Sequence, residues 1–206
     1  PWLSPLDRRH VALGKRHLHA ARDAGLFMNS EALPKLAWLE YLSGNSAEAA
    51  RLLGAAAGRQ RGRGRALSLY YRGAILNRLG RHAEALASLD EALAERPDLV
   101  LAREERGESL WQLGRRQEAV SAWSDALDSN AGLVLANNLL AGAAASLGSP
   151  EAAIVHERQA DAVTPPNPFF HWMVGLRLEG VGMSGLAEKH FRRAVELDPR
   201  FRSRRH

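Results

Sequence analysis

Gly80, Gly114, Gly148 and Gly182 stand 34 residues apart, and a second column, Gly73, Gly107, Ala141 and Gly175, keeps the same interval. Three further columns march in step: Ala85, Ala119, Ala153 and Ala187; Ala92, Ala126, Ala160 and Ala194; and Pro97, Ala131, Pro165 and Pro199. Five columns in register over four copies confine the chain to a repeat architecture, in which each unit buries its apolar face only against its neighbours.

Within each copy the apolar residues recur at spacings of three and four, as in Leu69, Tyr70, Gly73 and Leu76, then Leu86, Leu89, Ala92 and Leu93. That is the period of a helix face, so each copy predicts two helices. The column from Gly80 to Gly182 falls where the first helix must stop, a place for the left-handed cap that glycine adopts cheaply. Ser149-Pro150 and Asn167-Pro168 each put a capping residue ahead of a proline at the first helical position, and Pro97-Asp98 marks another junction. The column from Gly73 to Gly175 lies inside the first helix, where glycine costs about 1 kcal/mol against alanine. Close approach of the second helix, through its small column Ala85 to Ala187, is the expected compensation, and Gly107→Leu should then destabilise by overpacking.

These residues resemble the tetratricopeptide repeat, whose unit reads W-x2-L-G-x2-Y, then A-x3-F, then P. The last copy fits best, with Val174-Gly175-x2-Leu178, Ala187-x3-Phe191 and Pro199. The third fits least, with Ala141 in the glycine column and Glu157 where an aromatic belongs. The resemblance implies an all-α fold, a right-handed superhelical solenoid of antiparallel helix pairs. Its copies span 66–99, 100–133, 134–167 (divergent) and 168–201. Upstream, 30–65 holds a degenerate copy, offset by two residues, and the flexible basic linker from Arg59 to Arg65. Residues 1–29 contain an N-terminal helix, read over residues 5–24 and ending at Gly25, that would be the second half of a truncated repeat; 202–206 is a basic tail.

In this family the concave wall is lined by the first helix of each copy, at its second, fifth, sixth, ninth, twelfth and thirteenth positions. Carried onto this sequence, the resemblance implies a partner-binding groove that includes Tyr70, Tyr71, Asn77 and Arg78 from the copy at 66, and Glu104, Glu108 and Trp111 from the next. Asn138 follows, then Phe169, Trp172 and Met173. Aromatic anchors with polar neighbours suit a peptide-binding surface. The competing reading has some of these side chains packed against the adjacent helix. Glu104, Glu105 and Glu108 would favour a ligand with Lys or Arg, or would form a solvated acidic face. The arrangement of Lys, Arg and Asn by which some members clamp a chaperone's terminal carboxylate is absent, with Tyr70, Ala74 and Glu105 at its positions.

Other functions find less support. The chain carries a net charge of +5, with Arg59, Arg61, Arg63 and Arg65 alternating with other residues and a C-terminal cluster of four arginines. The first cluster lacks interleaved aromatics, which disfavours nucleic acid and leaves acidic protein surfaces. Zero cysteines rule out a disulfide framework and thiolate metal sites, and fit cytoplasm or periplasm equally. His17-x-His19, with His19 and Asp23 on one helix face, could be half of a metal site, but further ligands are lacking nearby, and solvent-exposed histidines on a basic helix are the preferred reading. No phosphate loop, nucleophile elbow or zinc-protease motif occurs, no motif asks for a cofactor or metal, and no apolar run is long enough to span a membrane. A chain starting at Pro1 reads as a piece of a longer protein. Ending so soon after the last copy, it should also leave Phe191, Val195 and Leu186 partly uncovered, an end that self-association or further chain would cover. The reading is thus a non-enzymatic scaffold with a protein or peptide ligand. The alternative is an accessory region of a larger enzyme or polysaccharide-secretion machine.

Overall fold

The computed structural model describes residues 5–23 and 32–205, and among these every regular element is helical. The helices are α1 Pro5–Asp23, α2 Ala32–Leu42, α3 Ser46–Ala57, α4 Gly62–Arg78, α5 His82–Glu95 and α6 Val100–Gln112. They continue as α7 Arg116–Ser129, α8 Val134–Ser146, α9 Pro150–Val163, α10 Pro168–Gly180 and α11 Ser184–Leu197, followed by a 3-10 segment, Pro199–Arg205. The chain forms two compact units, residues 1–109 and 110–206. Consecutive helices pack in order in the first, from α1 on α2 to α4 on α5; in the second, α8 pairs with α9 and α10 with α11. Gly25, expected to end the N-terminal helix, lies outside the described residues.

The capping column behaves as its spacing predicts. Gly80, Gly114, Gly148 and Gly182 have φ of 72°, 78°, 79° and 83°, and Gly44 of the degenerate copy joins them at 86°. After each of these five glycines the next amide reaches back to the same carbonyl position: Asn45 to Glu40, Arg81 to Leu76, Arg115 to Leu110, Ser149 to Ala144 and Met183 to Leu178, at 2.8–2.9 Å. Left-handed glycine and long back-bond together make a Schellman-type stop. The helix starts divide. The Asn167 side chain accepts a hydrogen bond from the Phe170 amide at 3.1 Å, whereas Ser149 occupies the capping position without a side-chain bond.

The internal glycine column has a different cause from the one expected. A Cβ at Gly73 would lie 2.6 Å from Leu89 Cγ, and one at Gly175 would lie 2.6 Å from Phe191 Cε1. The missing side chain therefore admits the large residue four positions after the small one, not a close backbone. The divergent copy is consistent with this: Ala141 replaces glycine where Glu157 replaces the large residue, and Glu157 turns to Lys189 Nζ at 3.3 Å. Two glycines of α10 test the account. Nothing lies within 4 Å of a Cβ built on Gly180. Gly180→Ala should raise stability by a few tenths to about 1 kcal/mol on helix propensity alone. Gly175→Ala, with the same propensity gain, should lower stability by about 1–2 kcal/mol, because overpacking outweighs the gain. Urea midpoints that shift in the same direction for both would exclude this packing cause.

Two further expectations need correction. The linker from Arg59 to Arg65 is helical from Gly62 onward, and Arg65 is anchored, donating through Nη2 to Glu91 at 2.6 Å. At the other end Phe191 is buried, packed against Trp172 at a ring-centroid distance of 4.8 Å and over Gly175, and Phe201 of the 3-10 segment packs on Trp172 at 5.6 Å. Val195 and Leu186 are half-buried. Only Phe191 departs from the expectation that all three would be partly uncovered.

Candidate functional site

In the first unit the first-helix face begins with a residue the sequence reading passed over. Trp38 of α2 is 56% exposed and stacks on Tyr41, with ring centroids 5.8 Å apart. Extending the repeat register into the degenerate copy would have found both, since counting from residue 30 places them at the ninth and twelfth positions. On α4, Tyr71 is 49% exposed and packs against half-buried Tyr70 at 4.9 Å. Arg78 is exposed, with Nη1 donating to the Ala74 carbonyl at 2.8 Å. Leu101 at the start of α6 is also exposed. The first unit thus opens two aromatic pairs to solvent, one on α2 and one on α4, with a guanidinium near the end of α4.

The polar residues beside it point inward. Asn77 is buried, its Nδ2 donating to the Glu105 carbonyl at 3.0 Å while its Oδ1 accepts from Ser109 Oγ at 2.7 Å. Glu104, Glu105 and Glu108 are all buried and none is free of partners. The solvated acidic face is therefore not what this cluster forms. His82 Nδ1 lies 3.3 Å from Asn77 Oδ1, and burial pushes its pKa down.

In the second unit Phe169 is 49% exposed at the start of α10, with exposed Leu176 and half-buried Met173 on the same helix. Trp111 is buried against Trp123 at 5.7 Å, and the Arg116 guanidinium carbon sits 3.8 Å above its ring. Trp172 is 4% exposed, between Phe191 at 4.8 Å and Phe201. Asn138 is buried, its Nδ2 donating to the Val134 carbonyl at 2.9 Å. Of the eleven residues carried over from the family, Tyr71, Arg78 and Phe169 reach solvent freely. Tyr70 and Met173 do so in part, and Asn77, Glu104, Glu108, Trp111, Asn138 and Trp172 line the interior.

The half metal site resolves into an ion pair. His19 Nε2 lies 2.7 Å from Glu40 Oε1, and Lys15 Nζ lies 2.7 Å from Glu40 Oε2. The Asp23 side chain is outside the described residues. Among those described, no group of three or more His, Cys, Asp or Glu residues is arranged to hold a metal ion, and no helix is long and apolar enough to cross a membrane.

The family described as tetratricopeptide repeat matches residues 35–100 and 105–168. No curated protein matches the chain. Among solved structures, MamA from Desulfovibrio magneticus RS-1 is 21% identical, with a TM-score of 0.60 over 82% of this chain and 95% of that one. BtubC from P. vanneervenii is 18% identical, with a TM-score of 0.65 over 97% and 93%. A chain of an APC/C hetero-tetramer is 18% identical, with a TM-score of 0.64 over 94% of this chain and 38% of that one. Likeness at this level of identity extends to the fold.

Proposed function

The chain belongs to the tetratricopeptide repeat family, and from that premise we propose that its first-helix faces hold an extended or helical segment of a partner protein. Repeats of this family serve as protein-interaction scaffolds. The observation that carries the finer reading is the exposure of Trp38, Tyr71 and Phe169, large aromatics at family groove positions. Exposed aromatics at these positions are what a binding surface requires: two rotatable bonds each, large contact area, little ordering cost. In this proposal Tyr70, Tyr71 and Arg78, with Trp38, make contact in the first unit, and Phe169 and Met173 do so in the second. Asn77, Glu104, Glu108, Trp111, Asn138 and Trp172 hold the wall in place from behind.

Peptides selected on the wild-type protein from a random display library test it. Trp38→Ala with Tyr71→Ala, or Phe169→Ala alone, should weaken the selected peptides by at least tenfold, about 1.4 kcal/mol. The melting transition should stay within about 0.5 kcal/mol, as for surface substitutions. Undiminished binding in both variants would remove the proposal.

A further inference from the structure

A buried polar chain runs through the second unit. The Val134 carbonyl can only accept, so the 2.9 Å contact from Asn138 must be its amide nitrogen, which turns Asn138 Oδ1 toward His190. His190 Nε2 lies 3.2 Å from that oxygen and must therefore carry a hydrogen. In the neutral imidazole the other nitrogen, Nδ1, is then an acceptor, and it faces His171 Nδ1 at 3.0 Å. His171 must donate. One carbonyl thus fixes both tautomers, and the chain joins α8, α11 and α10, with both histidines buried. The preceding repeat places Asn137 and His156 at the equivalent positions, 3.5 Å apart, so a polar pair across the two helices recurs, with asparagine in place of the first histidine.

We propose that the His171–His190 pair is an acid-operated latch, closed when His190 is neutral and opened by protonation of His190, which loosens α10 from α11. His171 lines a cavity of about 440 Å³, and its Nε2 has no hydrogen-bond partner among the described residues. A first proton on that nitrogen leaves the Nδ1–H···Nδ1 bond intact. A second proton, on His190 Nδ1, sets two N–H donors against each other at 3.0 Å in a buried contact, and the bond becomes a repulsion. The nearby carboxylates Asp161 and Glu196 offset it only in part. α8 contributes no ionisable residue, and from α9 Asp161 faces the cavity but is paired with Lys189 Nζ at 2.9 Å. On α11, Lys189, Arg192 and Arg193 add positive charge, and Glu196 is paired with Arg193 at 3.0 Å. α10 brings His171 itself.

Burial first, then the neighbouring His171, holds the His190 pKa down at about 4, and burial lowers His171 as well. Between the ordinary histidine value and about 4 the unfolded chain binds the proton and the folded pair does not. Stability therefore falls as pH falls through this window and is level above it. A displacement from 6.5 to about 4 corresponds to roughly a 300-fold change in the local opening equilibrium.

Amide exchange of α10 and α11, corrected for intrinsic rates, should accelerate by up to that factor from pH 7 to pH 4, while α2 and α3 change little. His171→Asn should abolish the effect, because its side-chain oxygen can accept from protonated His190, as Asn137 is placed to do for His156. Nitrogen-15 spectra of the wild type provide a measurement that needs no variant. They should show His190 in the Nε2–H form at neutral pH, with protonation well below the usual range. His190 titrating near 6.5, or an acid response in His171→Asn equal to that of the wild type, would overturn the latch.

Discussion

Trp172→Ala is expected to destabilise the second unit by about 3–5 kcal/mol, the range for deleting a fully packed aromatic. The indole is held on two sides, by Phe191 from α11 and by Phe201 from the 3-10 segment. Gly175, one turn further along α10, clears the space that Phe191 enters. Removing the indole leaves a cavity that the rings cannot close without withdrawing Phe191 from the glycine, and it removes the ring on which Phe201 packs. Two results should therefore appear together: a lower urea midpoint and faster tryptic cleavage after Arg200 or Arg202. Phe169→Ala, three residues earlier on the same helix but half open to solvent, should do neither. A Trp172→Ala protein as stable as the Phe169→Ala protein would mean that the aromatic cluster does not hold the terminal repeat.

The contrast between those two residues shows how far repeat register reaches. It assigns both to the groove, and it locates helix ends well, because a left-handed stop depends on a few neighbouring residues. Whether a groove position faces solvent depends on which side chains stand around it, and the register fixes their positions but not their identities. Trp172 is covered by Phe201, the final residue of the last copy, and Trp111 by Trp123 and Arg116. Tyr70, at the position equivalent to Trp172, packs on Tyr71 and remains half open. Charge misleads in the same way. Glu104, Glu105 and Glu108 read as a surface cluster because carboxylates are seldom buried unpaired, yet a buried carboxylate with partners is stable, and partners such as Asn77 sit a full repeat away. Arg65 belongs with them: a run of arginines and glycines reads as linker, while one member fixes α4 to Glu91 of α5. Trp38 was legible in principle, since the degenerate copy keeps enough of its small residues to set the count.

Glu40→Gln should cost about 2–3 kcal/mol at neutral pH and free α1 from the first unit. Glu40 is 2% exposed and receives Lys15 Nζ, His19 Nε2 and Asn45 Nδ2 at 2.7, 2.7 and 2.6 Å, the first two from α1. Burial alone would raise its pKa; the hydrogen bonds from Lys15, Asn45 and His19 prevail and hold it at about 2. A folded value below the unfolded one stabilises the protein above pH 4.5 and ceases to do so as pH falls through 2, a difference of about 3 kcal/mol before screening at the partly open Lys15 and His19. The neutral amide keeps the shape but leaves the Lys15 ammonium without its counter-charge, and Leu18 is left to tie α1 to the apolar core. Proteolysis within α1 and the urea midpoint at pH 7 measure the loss. Glu48→Gln, which removes an exposed pair with Arg51 one helix away, should shift the midpoint by less than about 0.5 kcal/mol. Equal shifts for the two variants would show that burial adds nothing to the Glu40 contact, and that α1 is held by its apolar face alone.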